Sequence, residues 1–392
     1  MLYSDCIEKL LQLEDVIVTN IECIEKEMHV YLRMEQRYHT CPRCGKPTSK
    51  VHDYRTQLVR DVSICGFNTI LHLRKRRHVC PDCGKRFYEE VSFLPKYHRF
   101  TNRVFMQIFE QLKDCRSIKN IAAANNMSAP TAAKVVNLIE YTPAKLPEVL
   151  AIDEFRGNAE RERFQCILAD PKNHKVLDIL PTRKHEDIYA YLGKFSNRND
   201  VKVVVMDMTG GYRSLMKRLF PNATIVIDKY HYVRQIGFAI EKIRVEEQKQ
   251  YSDRWRKYFK RSRTVLLKNP ANLTTEDRLQ MENMFRISPR LKTAYELKQL
   301  FENFKESSTR TEAQLRLARF IMAAQDSDLT PFVNVSLTFQ RWSKEILNSF
   351  EYPYTNGYIE GCNNRIKVLK RVSFGMPRFK RFRRRILHIM IN

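Results

Sequence analysis

Val149-Leu150-Ala151-Ile152-Asp153-Glu154-Phe155 is an apolar run with a carboxylate set inside it. Its β-branched and aromatic residues predict a strand. A charged group in such a strand is costly unless it is paired or holds a metal. Further β-rich runs follow at 163–169, 175–180, 201–206 and 224–227, with helical sequence at 187–195 and 212–219. Three successive strands without an intervening helix predict an antiparallel meander, and the next strand follows a helix. The expected fold is therefore a mixed α/β sheet, not a doubly wound parallel one. Val203-Val204-Val205-Met206-Asp207 ends in a second carboxylate. Ile227-Asp228-Lys229-Tyr230-His231 brings a third, with a histidine, so Asp228 and His231 are accessory candidates for the same cleft. Glu154 points to the opposite sheet face from Asp153.

Far downstream, Asn356-Gly357-Tyr358-Ile359-Glu360-Gly361-Cys362-Asn363-Asn364-Arg365-Ile366-Lys367 reads as a turn leading into a helix. On a helix Glu360, Asn364, Lys367 and Arg371 form one stripe, and Ile359, Cys362, Ile366 and Leu369 form an apolar neighbour. A carboxylate sharing its face with an amide and two cations suits a site that holds a nucleic-acid backbone. Taken alone, the segment reads as an amphipathic surface helix with a capping acid. Two strand-borne Asp and one helix-borne Glu are hard oxygen ligands suited to Mg²⁺. Two such ions clamp an in-line phosphoryl transfer. The stretch 365–385 contains ten Lys or Arg and no acid, with Phe374, Phe379 and Phe382 interleaved. It predicts backbone contact, with Arg381 among the contacting residues, and base stacking on DNA.

Upstream, Cys41-Pro42-Arg43-Cys44-Gly45-Lys46 and Cys80-Pro81-Asp82-Cys83-Gly84-Lys85 repeat one pattern. Two intervening residues let both thiolates of a pair reach one tetrahedral ion, and two pairs make a four-Cys zinc ribbon with one structural Zn²⁺. The 35 residues between Cys44 and Cys80 leave room for an inserted hairpin built from 57–64 and 67–73. His39, His52, His72 and His78 read as surface or phosphate-facing residues. Cys6, Cys23, Cys65, Cys115, Cys166 and Cys362 read as buried or semi-buried thiols. Arg74-Lys75-Arg76-Arg77 ends the strand that leads to the second pair and predicts phosphate contact, a charged edge strand being the alternative.

Between ribbon and sheet, 117–128 reads as a helix and a turn, and 128–139 as a second helix. Ser128 is placed as N-cap and Pro130 lies in the first turn. The pair has helix-turn-helix character, with Ser128, Thr131 and Lys134 facing DNA.

The composition agrees. The 392 residues carry 69 Lys plus Arg against 44 Asp plus Glu, a net charge of +25. A folded basic chain points to a polyanion, nucleic acid before a membrane surface. The longest apolar runs are far short of the roughly 20 residues a membrane span needs. Met1-Leu2-Tyr3-Ser4-Asp5-Cys6 has no signal-peptide character. Ten cysteines then argue for a reducing compartment and metal sites instead of disulfides.

In this order, the ribbon, the helix pair, Ile-Asp-Glu-Phe, Met-Asp-Met, Asp-Lys-Tyr-His and the 356–370 motif resemble the bacterial insertion-sequence transposases of the ISL-three family. The resemblance runs from about residue 38 to 388. It implies a ribonuclease H-like catalytic domain whose Asp-Asp-Glu triad is Asp153, Asp207 and Glu360, binding two Mg²⁺. It also implies a helical insertion before the Glu and a dimer or larger assembly on double-stranded transposon-end and target DNA. The domains are then 1–38, a β-containing segment; 39–98, the ribbon; 99–145, the helix-turn-helix; 146–234 with 351–392, the catalytic domain; and 235–350, the insertion. The expected location is cytoplasmic, with the nucleoid. Thr209-Gly210-Gly211 is a more flexible turn than the family pattern has after its second Asp. A non-catalytic DNA-binding derivative and a nuclease without strand transfer are the alternatives.

Overall fold

A computed structural model describes residues 11–390, so Cys6 lies outside the described residues. The chain forms two compact units, one of 11–141, 368–376 and 380–390, the other of 142–367 and 377–379.

In the first unit, β1 (Val16–Ile24) and β2 (Glu27–Met34) form a hairpin. A two-stranded ladder of β3 (His39–Thr40) and β4 (Pro47–Thr48) follows. β5 (Val51–Arg60) and β6 (Asn68–Val79) are the hairpin expected between the cysteine pairs, and β7 (Arg86–Tyr88) adds to β6. β2 runs parallel to β6, giving the order β1-β2-β6-β5. The sequence reading separated 1–38 from the ribbon. The structure joins them, because Val30 and Leu32 of β2 share one buried core with Leu71 and Leu73 of β6.

The helix-turn-helix region comprises α1 (Asn102–Gln111), α2 (Ile118–Ala124) and α3 (Ala129–Val136). Each starts on a side-chain cap, from Thr101, Ser117 and Ser128 respectively, which satisfies an N–H that the helix leaves free. Val104, Ile108, Ile121, Val135 and Val136 pack them together.

The second unit is built on β8 (Val149–Phe155), β9 (Gln165–Asp170), β10 (Lys175–Leu180), β11 (Val203–Met206) and β12 (Thr224–Ile227), in the order β10-β9-β8-β11-β12. The first three form the antiparallel meander. β11 runs parallel to β8 and to β12. The crossovers are α4 (His185–Leu192) and α5 (Gly210–Leu219). β11 is buried along its whole length, as a continuous Val-rich run predicts for a strand covered on both faces.

Seven helices follow: α6 (Lys229–Gln248), α7 (Asp253–Arg261), α8 (Arg263–Leu267), α9 (Thr275–Ile287), α10 (Pro289–Lys305), α11 (Arg310–Gln325) and α12 (Thr330–Leu347). They share one core with the sheet, through Tyr232, Phe301, Phe304, Phe320 and Phe339. The boundary expected at 234/235 falls inside α6, which runs through it unbroken.

α13 (Gly357–Val372) and α14 (Phe379–Met390) end the described chain. α14 corrects the sequence reading, which placed all of 351–392 with the catalytic sheet. Residues 380–390 pack in the first unit. Arg385, 0% exposed, donates to the carbonyls of Leu112, Asp114 and Arg116. These carbonyls lie at the end of α1 and in the turn after it; that of Asp114 also accepts the Arg116 N–H at 2.8 Å. His388 sits between Tyr141 Oη (2.8 Å) and the Phe109 carbonyl (2.7 Å). Among the described residues no helix is long and apolar enough to cross a membrane.

Candidate functional site

The strand register places the first two carboxylates. Val203 pairs with Val149 and Val205 with Ala151, an offset of 54 residues, and Asp207 lies 54 residues after Asp153. β12 repeats the relation, with an offset of 21 from Val203 to Thr224 and of 21 from Asp207 to Asp228. Three aspartates therefore stand in one row across three neighbouring parallel strands, on the same face. Glu154 faces the other way and pairs with Arg183 at 2.7 Å.

α6 begins at the end of this row, and its first turn brings His231 Nε2 to 2.7 Å from Asp207 Oδ1 and 3.7 Å from Asp228 Oδ2. The contact with Asp207 is off the line of a good hydrogen bond, and that buried oxygen has no other. Ligand atoms of Asp153, Asp207 and His231 all lie within 4.8 Å of one another. Burial, then the neighbouring Asp207, push the Asp153 carboxyl up to about 6. Burial opposes the charged form of His231, but the Asp207 carboxylate outweighs it and raises the imidazole above its ordinary value. Negative charge thus accumulates where a proton or a cation must offset it. Two hard carboxylates and one unsatisfied carboxylate oxygen fit a divalent cation such as Mg²⁺.

Asp228 has a different place. Its Oδ1 accepts the N–H of Asn356 at 3.1 Å, and burial raises its pKa. It anchors the turn that starts α13. Tyr358 of α13 stacks on His174, ring centroids 5.3 Å apart. Asn363 donates from Nδ2 to Asp153 Oδ2 at 2.9 Å. Sequence reading missed Asn363 and Asn356; the only available signal was the amide-rich composition of the motif.

Glu360 is exposed one helical turn before Asn363. It does not join the cluster of Asp153, Asp207 and His231. Asn364, Lys367 and Arg371 continue its exposed stripe, while Ile359, Cys362, Ile366 and Leu369 are buried as expected. In the Thr209-Gly210-Gly211 turn, a Cβ on Gly211 would meet the His185 ring, whereas one on Gly210 would meet nothing.

The basic residues divide. Arg74 is exposed over the Tyr54 ring, and Arg77 pairs with Asp53 at 3.4 Å. Lys75 is half-buried near Tyr88. Arg76 is a correction. It is 4% exposed, bound to Glu89 and to the carbonyls of Met34 and Glu35, and cannot meet DNA. The burial alternation of β6 changes phase between Leu73 and Arg76, which turns that guanidinium inward. Phe382 and Arg385 are likewise fully buried, whereas Phe374 is 99% exposed and Arg381 half-buried. On α3, Lys134 is exposed, and the Ser128 and Thr131 hydroxyls bond each other at 2.8 Å. Cys23 and Cys65, expected at least semi-buried, are exposed. His78, expected at the surface, is buried.

In the ribbon each cysteine pair is held by the same two backbone bonds. Cys41 N–H donates to the Lys46 carbonyl and Gly45 N–H to the Cys41 carbonyl, and Cys80, Lys85 and Gly84 repeat this. Gly45 and Gly84 have φ of +73° and +68°, which explains the glycine in each pattern. Cys41 and Cys83 sulfurs are 3.5 Å apart, as are those of Cys44 and Cys80, and all four converge within 4.8 Å. Four thiolates at this spacing fit tetrahedral zinc and leave no open position.

Comparison with known proteins bears on this arrangement directly. Residues 150–386, more than half of the chain, match a family described as transposase. The chain belongs to the ISL3 family of transposases. Two further matches lie upstream in this transposase: residues 37–83, the zinc finger of transposase IS204/IS1001/IS1096/IS1165, and 89–137, the helix-turn-helix domain of transposase family ISL3. The chain is 26% identical to the transposase for insertion sequence element IS1001 of Bordetella parapertussis, over 89% of this chain and 88% of that one. It is 30% identical to the transposase for insertion sequence element IS1557 of Mycobacterium tuberculosis, over 30% of this chain and 26% of that one. It is 32% identical to a Lactococcus lactis protein named ATP-dependent protease, over 31% of this chain and 36% of that one.

Proposed function

We propose that this transposase cuts and joins DNA through an Asp-Asp-Glu site of Asp153, Asp207 and Glu360, on a ribonuclease H-like sheet with the helical region 235–350 as its insertion. One observation carries the reading. Asp153 and Asp207 share a row on parallel strands, and Asn363 ties Asp153 to the helix that bears Glu360 one turn away. The strand order supports the fold assignment: an antiparallel meander followed by two strands parallel to its first.

Two Mg²⁺ bound by the three carboxylates would supply an activated oxygen nucleophile and steady the leaving oxygen. The chain's own residues do the positioning. Strand register fixes Asp153 and Asp207, Asn363 orients Asp153, and Asp228 fixes the start of the Glu360 helix. Lys367 and Arg371 offer their charge to the phosphate backbone. The helix-turn-helix, with Lys134, and the ribbon, with Arg74, Lys75 and Arg77, hold the terminal repeats on double-stranded DNA. Two copies of the chain pair the two ends, in the cytoplasm at the nucleoid.

A second reading has an observation of its own. His231, not Glu360, is clustered with the two aspartates, so His231 is the rival third ligand. The test is Mg²⁺-dependent nicking of duplex DNA carrying the inverted repeats of the element. Asp153→Asn and Glu360→Gln should abolish nicks at the repeat boundary and retain end binding, while His231→Gln should only slow them. Full cleavage by Asp153→Asn overturns the proposal. Abolition by His231→Gln with Glu360→Gln active replaces Glu360 by His231. End binding without nicks in the unsubstituted protein moves the reading to a binding-only derivative.

A further inference from the structure

Among the described residues, outside the four-cysteine centre and the carboxylate row, one more group of ligating side chains converges. His39 stands in β3, His78 near the end of β6, and Glu89 just after β7. One ligand atom from each lies within 4.8 Å of the others. His78 is 1% exposed and Glu89 3%. Neither ring nitrogen of His78 makes a well-formed hydrogen bond, although the Lys50 carbonyl lies near one of them, and Nε2 of His39 makes none. The two rings lie 4.6 Å apart at 40°. A buried polar atom left unpaired is costly, and one nitrogen from each ring converging with a Glu89 oxygen needs an explanation.

We propose that His39, His78 and Glu89 form a second metal site in the ribbon, one that takes Zn²⁺. Two imidazoles and one carboxylate are a borderline nitrogen and oxygen set, which suits zinc with water in the remaining position. Mg²⁺ and Ca²⁺ call for more oxygen ligands. The sequence places the site. His39 precedes Cys41 by two residues and His78 precedes Cys80 by two, so the doubled pattern is His-x-Cys-Pro-x-Cys-Gly-Lys. Folding that brings the cysteine pairs together also brings the histidines together.

Glu89 is held for the role. Its Oε1 accepts the Arg76 N–H at 2.6 Å and its Oε2 the Arg76 guanidinium at 3.1 Å. A carboxylate has acceptor capacity left after two such bonds, and an outer partner of this kind fixes the orientation of a ligand. The same guanidinium repels a cation. The second site therefore binds more weakly than four thiolates do, and loses its ion first. A neutral, tilted histidine pair is the competing account, and it leaves the converging nitrogen of each ring without a partner.

The test uses the full chain carrying Asp207→Asn, which removes the carboxylate cluster as a rival cation site. After metal removal the protein is titrated with Co²⁺. The expected result is two equivalents. The first gives strong thiolate-to-cobalt absorption. The second adds only weak visible bands and is withdrawn by a mild chelator that leaves the first. His39→Ala and Glu89→Gln should each lose the second equivalent and keep the thiolate band, which reports that the ribbon still folds. A single equivalent in excess Co²⁺ overturns the proposal, as does a second equivalent that survives both substitutions.

Discussion

Asn363 and Asp153 are 210 residues apart in sequence and joined at 2.9 Å, Nδ2 to Oδ2. The bond fixes the rotamer of a carboxylate already disfavoured as an anion by burial. Loss of an outer partner of this kind typically costs roughly 10- to 100-fold in metal affinity or activity. Asn363→Ala should therefore reduce Mg²⁺-dependent strand cleavage by about that factor. End binding in a gel-shift titration should not change. Raising the Mg²⁺ concentration should recover part of the lost rate, which a merely destabilised fold would not do.

Asp228 separates structure from chemistry. If its work is to accept the Asn356 N–H, Asp228→Asn keeps an acceptor and should keep cleavage near normal. Asp228→Ala leaves a buried donor unpaired, at a cost of about 1–3 kcal/mol, and should lower both the melting temperature and the cleavage rate. Loss of cleavage in Asp228→Asn with an unchanged melting temperature would make Asp228 a ligand.

The elements of the aspartate row were readable because each strand is a short apolar run ending in, or interrupted by, an acid. The pairing was not readable. The offsets of 54 and 21 residues that align Asp153, Asp207 and Asp228 become meaningful only once the strands are registered. The stripe of Glu360, Asn364, Lys367 and Arg371 followed from helical period alone. Asn363 was missed because it lies between that stripe and the apolar one, and an amide there has no signature. Arg76 and Arg385 were misread for a related reason. Charge counts cannot show which guanidinium has backbone carbonyls waiting for it, and both do. The histidines beside the cysteine pairs were visible, but only their burial distinguishes them from surface residues.

The four-cysteine zinc and the catalytic sheet should respond independently to chelation. Metal binding and folding are coupled where the ligands supply much of the local structure. Removing zinc should therefore abolish the ordered knuckles and weaken binding to end DNA. The second unit has its own apolar core and should keep its thermal transition. Unchanged end binding after verified zinc loss would show that the ribbon does not touch the ends.

α14 makes a prediction about acid. The His388 imidazole lies below its ordinary value, first because it is buried, and also because Arg385 and Lys113 face it, with the Phe109 carbonyl and Glu110 opposing them. Its place between the Phe109 carbonyl and the Tyr141 hydroxyl suits the neutral ring, Nε2–H donating and Nδ1 accepting. The unfolded chain takes up the proton near pH 6.5 and the folded chain only lower, so stability falls as pH drops below about 6.5 and levels off beneath the folded value. The melting temperature of the first unit should thus fall between pH 7 and pH 5, and His388→Gln should flatten that part of the slope. Arg385→Ala should act at every pH, because it removes the guanidinium donor to the carbonyls of Leu112 and Arg116 and the second donor to that of Asp114. A loss of about 2–4 kcal/mol is expected for breaking a buried network of this size. Either substitution should weaken end binding, although sequence order places both residues beyond Glu360. A pH slope identical in His388→Gln and the unsubstituted protein would remove His388 as its source.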